Sequence, residues 1–374
     1  MNIRLLIILF LLSGCFGSKD NSEPPAPLVK FTPTLTLKTL WTANIGDITN
    51  HTKLIPTAHD GKLFTASTDG LIQALNLTNG KPIWKLELDI PISGGPGVGE
   101  GLIIVGSQKG QVIALSEEDG VEQWRSQVST EILATPRINR GIVIIRTGDG
   151  KLFGLDSQTG NHLWIYERTR TSLLSLRGAS TPILVQDLII AGFDNGKMAV
   201  LELKTGKVLW ETAIAVPHGR TELERMVDID ADPILQGEIV YVTSYQGQTV
   251  AIDLIKGGLL WQKSISSYAG LGVDSDYLYI TNSDSHVHAL ERYSGDNFWQ
   301  QDKLQARGVT APVSIGDYVV VGDMEGYLHW MSKKDGSFVV RHRLGKAPIT
   351  LPALVIDNIL IAYNSNGKIM AFRY

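Results

Sequence analysis

Apolar and polar positions alternate along short runs of this chain, and a glycine-containing turn cuts each run. Three stretches show the unit in full: DGLIQALNLTNGKPIW (69–84), DGKLFGLDSQTGNHLW (149–164) and NGKMAVLELKTGKVLW (195–210). In each, the first Gly supplies the positive φ of a hairpin turn and a period-two run such as Leu71, Gln73, Leu75 follows; Asn-Gly or Thr-Gly then turns the chain into a second run. Upstream of each unit sits another pair of runs, for example residues 101–106 (GLIIVG) and 187–192 (DLIIAG), preceded by a small residue and a proline. That step recurs at Pro56, Pro96, Pro136, Pro182, Pro233, Pro312 and Pro352. Proline cannot donate to a central ladder, so the strand it interrupts is small and lies at an edge. The repeat therefore holds four strands, and the chain reads as all-β.

Tryptophan marks the repeat. Trp41, Trp84, Trp124, Trp164, Trp210, Trp261 and Trp299 are spaced by 43, 40, 40, 46, 51 and 38 residues, and a period near forty is that of four-stranded propeller blades. Fourteen residues before five of them stands a glycine (Gly70, Gly110, Gly150, Gly196 and Gly247), with Ser285 in that place before Trp299; further copies start at Gly326 and Gly367. Eight copies predict an eight-bladed β-propeller over residues 36–374. The last copy stops at Tyr374 after its third strand, while residues 36–45 hold Trp41 without earlier strands, so the N-terminal strand is expected to complete the C-terminal blade and hide two edges. Fixed spacing from turn glycines assigns the seven indoles equivalent interior positions as structural docking residues. Each buries about 150–250 Å², or about 4–6 kcal/mol of gross transfer free energy. Val340 occupies the eighth site, which marks a softer junction.

Composition narrows the function. With 34 Lys and Arg against 38 Asp and Glu in 374 residues, there is no basic excess to neutralise a phosphate backbone, and nucleic acid is not an expected partner. The single cysteine excludes an internal disulfide and any multi-thiolate metal site. Residues 1–14 combine a basic start, the apolar run Leu5 to Leu12 and the small pair Ser13-Gly14, the pattern of an export signal too short to span a bilayer. The sequence Leu12-Ser13-Gly14-Cys15 resembles a bacterial lipobox, which implies cleavage before Cys15 and lipidation of that residue. Lipid on its sulfur and its amine amounts to three acyl chains, more than the two signals that stable anchoring takes, so no transmembrane helix is needed. Phe16, rather than Asp, follows Cys15, which in lipoproteins of this kind implies sorting to the outer membrane, facing the periplasm. Residues 15–35, with Pro24, Pro25, Pro27 and Pro33 and no alternation, read as a flexible tether.

The two longest Trp-to-Trp intervals are consecutive, and their extra length falls after Trp164 and Trp210, in equivalent connections between blades. Residues 166–178 and 214–230 are therefore expected to project side by side from one face. The first carries Leu173, Leu174 and Leu176 among Arg168, Arg170 and Arg177; the second carries Arg220, Glu222, Glu224, Arg225, Asp228 and Asp230. Apolar anchors with a charged rim suit a protein interface. Ordinary loop packing of the leucines, and a brace between Arg177 and Asp228 or Asp230, remain open beside it. Asp228, Asp230 and Asp232, or His286 and His288, are too few to complete a calcium or zinc site, and no metal or other cofactor is expected. The run 94–99 reads as channel lining rather than a phosphate loop, and no Walker, Gly-x-Ser-x-Gly or His-Glu-x-x-His motif occurs.

The pattern Gly154-Leu155-Asp156-Ser157-Gln158-Thr159-Gly160-Asn161-His162-Leu163-Trp164 resembles the tryptophan-docking repeat of pyrroloquinoline-quinone dehydrogenases, whose adjacent cysteine pair this chain lacks. A lipobox followed by eight such repeats is similar to the BamB family, lipoproteins of the outer-membrane β-barrel assembly machinery. The resemblance is sharpened by Ser175-Leu176-Arg177-Gly178, by Asp228-Ile229-Asp230 before Pro233, and by residues 322–330. It implies a non-enzymatic scaffold in the outer-membrane protein assembly complex that binds the periplasmic (POTRA) domains of the BamA insertase through Leu174, Leu176, Arg177, Asp228 and Asp230. It also implies aid to the insertion of β-barrel proteins and contact with unfolded outer-membrane proteins. The opposing classes are a reduced quinoprotein dehydrogenase and a propeller that binds cell-wall glycan.

Overall fold

The computed structural model describes residues 23–49, 52–167, 180–218, 220–221 and 223–374. These form 32 strands in eight four-stranded antiparallel sheets, and no helix is found among the described residues. Blades 1 to 7 are consecutive: β2–β5 (57–87), β6–β9 (92–127), β10–β13 (137–166), β14–β17 (183–213), β18–β21 (234–263), β22–β25 (270–301) and β26–β29 (313–343). Blade 8 takes β30–β32 (354–373) and closes with β1 (Lys38–Asn44), whose register runs from Lys38 opposite Arg373 to Asn44 opposite Lys368. The expected eight-bladed ring and its closure by the N-terminal strand are both present. No described helix is long and apolar enough to cross a membrane.

Seven of the eight sheets run from a short inner strand to a longer outer one; in blade 2 the inner strand is the longer. Six inner strands are three residues long, and five of these start directly after Pro56, Pro136, Pro182, Pro233 or Pro312. An inner strand is hydrogen-bonded along one side only, so it tolerates an adjoining residue without an N–H. The core is a ring of wedges. Ile104, Val112 and Ala114 of blade 2 meet Val143, Ile145 and Phe153 of blade 3. Ile190, Met198 and Val200 of blade 4 meet Val240, Val242 and Val250 of blade 5. The middle strands are apolar on both faces because each sheet is covered on both sides, whereas the outer strands alternate.

Residues 23–37 have no regular structure, yet they are not detached. Ala26 N donates to Gln305 O (3.0 Å) and Thr34 N to Val339 O (2.9 Å), and Phe31 stacks on Phe338 with centroids 5.7 Å apart. Of the segment read as a flexible tether, the part from residue 23 onward is a strap laid along blade 7.

Candidate functional site

Each outer-strand tryptophan lies over a glycine in the last turn of the next blade. Trp41 covers Gly80, Trp84 covers Gly120, Trp124 covers Gly160 and Trp164 covers Gly206; Trp210, Trp261 and Trp299 sit over Gly257, Gly295 and Gly336. Those glycines all have positive φ, between 67° and 75°, and a Cβ at Gly80, Gly160 or Gly206 would stand 2.5 Å from an indole carbon. Six indoles also donate Nε1–H to a backbone carbonyl three residues before the covered glycine, for example Trp124 to Ser157 O at 2.8 Å and Trp299 to Lys333 O at 2.7 Å. Val340 faces blade 8, where β32 (Lys368–Arg373) and β1 come from opposite parts of the chain and no turn joins them. With no turn glycine to cover, that junction uses Leu35, Leu37, Val340 and Phe372 instead.

The connections between blades share one face with the turns between second and third strands: Val128 N bonds Gly110 O, Ile214 N bonds Gly196 O, and Leu344 N bonds Gly326 O. The connection between blades 4 and 5 is split. Val216 and Leu223 are 58% and 60% exposed, and the tip is fixed by Glu224, whose carboxylate accepts Arg220 N–H at 2.7 Å and Thr221 N–H at 3.1 Å. These backbone bonds hold the Glu224 carboxyl below its ordinary range. From Met226 to Ala231, however, every residue is buried, with Asp228 0% and Asp230 9% exposed. The expected projection is thus confined to about 216–225, and the Asp-x-Asp element forms its root. The physical reason is convergence: this stretch leads into the inner strand, where blades meet.

That root is a charged cluster. Lys53, from the connection into blade 1, donates to the Asp230 carbonyl and pairs with Asp232 at 3.3 Å. Blades 1 and 5 stand opposite each other in a ring of eight, so Lys53 reaches across the channel mouth. Asp232 also accepts Thr181 N–H at 2.6 Å, tying the connection before blade 4 to the one before blade 5. Arg146 is buried, donates to Ser180 O (2.9 Å) and Ser180 Oγ (2.5 Å), and lies over Phe193. Burial lowers its pKa, opposed by Asp194, Asp230, Asp232 and Asp228. Asp230 Oδ2 is buried without a hydrogen-bond partner, and burial first, then the charge of Asp228, pushes its carboxyl up to about 7 against Lys53 and Arg146.

Cys15, Leu174, Leu176 and Arg177 lie outside the described residues, as do Arg168, Arg170 and Leu173. The structure brings Asp228 and Asp230 together with three residues that pattern reading passed over: Arg146, Lys53 and Asp194. Arg146 carried a signal, because its position holds Ala66, Gly106, Gly192, Thr243, Thr281, Gly322 and Tyr363 in the other blades. His286 and His288 share a face of blade 6 with both Nε2 atoms buried and unpartnered; burial first, and His286 second, push His288 down to about 4. Among the described residues, the one group of three metal-ligand types is His59, Asp60 and Glu117, and there His59 Nδ1 is within 2.8 Å of Glu117 in an ion pair between blades 1 and 2.

Eight sheets, pinned at seven of their junctions by indole on glycine and with a polar root at one end of the channel, define a tryptophan-docked propeller. The comparisons then assign the family. The family described as "Outer membrane protein assembly factor BamB" matches residues 68–301. A curated relative of that name from Pseudomonas aeruginosa is 42% identical over 98% of this chain and 97% of its own length, and one from Kangiella koreensis is 43% identical over 98% and 94%. The crystal structure of BamB from Moraxella catarrhalis superposes with a TM-score of 0.84 at 26% identity, covering 91% of this chain and 100% of that one. The chain belongs to the BamB family. A quinohemoprotein alcohol dehydrogenase from Pseudomonas putida, at TM-score 0.70 and 12% identity over 90% of this chain and 76% of that one, shares the fold alone.

Proposed function

We propose that this chain is a non-enzymatic scaffold that serves outer-membrane protein assembly at the outer membrane, where lipidated Cys15 anchors it on the periplasmic side after removal of residues 1–14. The observation that carries this reading is the near full-length kinship with relatives named as assembly factors. The partner is the periplasmic POTRA region of the BamA insertase, held on the face where the connections after Trp164 and Trp210 emerge. Leu174 and Leu176 are the apolar anchors and Arg177 the charged one, while Asp228 and Asp230 act from the root of the second connection. Unfolded outer-membrane proteins are the further client, adding a strand along outer edges that expose Leu163, Ile165, Leu209 and Leu259.

The test is capture of the intact lipoprotein from solubilised outer membranes. Recovery of the insertase with the native chain, and at least tenfold less with Leu176→Ala or Arg177→Ala at unchanged melting temperature, supports docking. Recovery of the lipoprotein alone removes the proposed partner, and an equal loss of stability in the variants turns the loop residues into internal braces.

A further inference from the structure

The strap of residues 23–37 is fastened by charge as well as by backbone bonds. Arg307 is 2% exposed and donates to Asp323 Oδ2 (2.8 Å), to the Ala26 carbonyl (2.8 Å) and to Glu325. Asp323 also meets His329 Nε2 at 2.9 Å, and His329 Nδ1 accepts from Arg341 Nε at 3.1 Å. Arg341 in turn donates to the Val29 carbonyl (3.1 Å) and lies over Phe31, while Gln305 holds Glu23 at 2.7 Å. The strap therefore begins close in sequence to Cys15. From Cys15 to Glu23 the chain spans eight residues, which reach at most about 29 Å when fully extended.

That length is less than the molecule is wide. Each blade spans three strand spacings, about 14 Å, so blade 3, across two blade widths and the channel from blade 7, lies about 29 Å or more further off. Charge divides the ring in the same direction. Residues 23–49 and 302–374, which build blades 7 and 8 and the strap, carry eleven Lys or Arg against eight Asp or Glu, whereas residues 52–301 carry 21 against 29. Lys30, Lys38, Lys334, Arg343, Lys346 and Arg373 are all exposed on the basic side.

We infer that the rim formed by blade 7, blade 8 and the strap is the membrane-facing side of the propeller and rests against anionic phospholipid, holding blade 3 and its neighbouring connections away from the bilayer. The inference rests on the lipid anchor proposed at Cys15. Short-range tethering delivers this rim to the surface, and the basic excess keeps it there while the acidic remainder is repelled.

The full-length lipoprotein is reconstituted in vesicles of phosphatidylethanolamine and phosphatidylglycerol carrying a headgroup quencher. Because Cys15 is lipidated, a cysteine introduced as Ser337→Cys in blade 7 or Asn161→Cys at the equivalent turn of blade 3 is the sole free thiol for a fluorophore. Both turns are exposed. The expected result is at least threefold stronger quenching at 337 than at 161, with the ratio falling when phosphatidylcholine replaces phosphatidylglycerol. Equal quenching at the two sites on vesicles that do carry the protein overturns the orientation, and a ratio indifferent to phosphatidylglycerol overturns the role of anionic lipid. Failure to float with the vesicles overturns the anchor itself, and this inference with it.

Discussion

Alanine substitution at three turn glycines separates the docking of the indoles from ordinary backbone strain. Gly160 (φ +70), Gly257 (φ +67) and Gly101 (φ +77) all occupy left-handed turns, so a Cβ costs each about 1–2 kcal/mol. Their surroundings differ. The added carbon would stand 2.5 Å from Trp124 Cε3 at Gly160 and 3.4 Å from Trp210 at Gly257, while at Gly101 nothing lies within 4 Å. Contact at 3.4 Å is ordinary, but at 2.5 Å the indole must move, loosening both its packing and its 2.8 Å bond to Ser157 O. That overpacking adds about 1–3 kcal/mol. Urea unfolding followed by tryptophan fluorescence should therefore show Gly160→Ala losing about 2–5 kcal/mol, with Gly257→Ala and Gly101→Ala close together near 1–2, at unchanged slope. Equal losses at all three sites would refute the claim that indole against glycine holds neighbouring blades.

Three further outcomes follow from charged groups. Because Asp230 is pushed up to about 7, the folded chain binds its proton more tightly than the unfolded chain, and stability falls as pH rises from about 4 through 7; Asp230→Asn should raise the melting temperature most at pH 8, less at pH 5, and leave it nearly unchanged near pH 4. Asp274 behaves in the opposite sense. Its burial alone would raise the pKa, but the Lys333 ammonium at 2.7 Å and the N–H groups of Tyr277 and Asp276 outweigh that and bring it to about 2, so its contribution is complete above about pH 4 and is lost as pH falls towards 2. Acid titration of Lys333→Met should show a shallower loss across that interval. Arg307→Ala leaves Asp323 buried with His329 as its one side-chain partner and should cost about 3–5 kcal/mol in urea unfolding, whereas Arg307→Met with Asp323→Asn should cost less, since no lone charge is stranded.

The ring was legible because its determinants are local and repeated. Glycine at a left-handed turn and tryptophan fourteen residues on can be read without knowing what they touch. Their partnership across blades adds the reason the spacing is fixed. Val340 was visible as a missing tryptophan, yet its cause lies in the ring closure, where β1 and β32 leave no turn to cover. Asp228 and Asp230 read as exposed because alternating carboxylates near a loop usually are; their burial depends on Lys53 and Arg146, one from the far side of the channel and one from a neighbouring blade. The strap leaves no pattern for a similar reason. Proline and the absence of alternation do describe residues 23–35, but the hydrogen bonds to Gln305 and Val339 that hold them are about 280–310 positions away in sequence. Long-range partners of irregular segments leave no periodic trace.

The seam in blade 8 imposes an order of events on the newly made chain. β1 finds its partner only when β32, far later in the chain, becomes available, so the circle stays open until then. A chain cut short before Lys368 would present β1 and β31 (Ile359–Tyr363) as unsatisfied edges, so the ring can shut only around a finished β32.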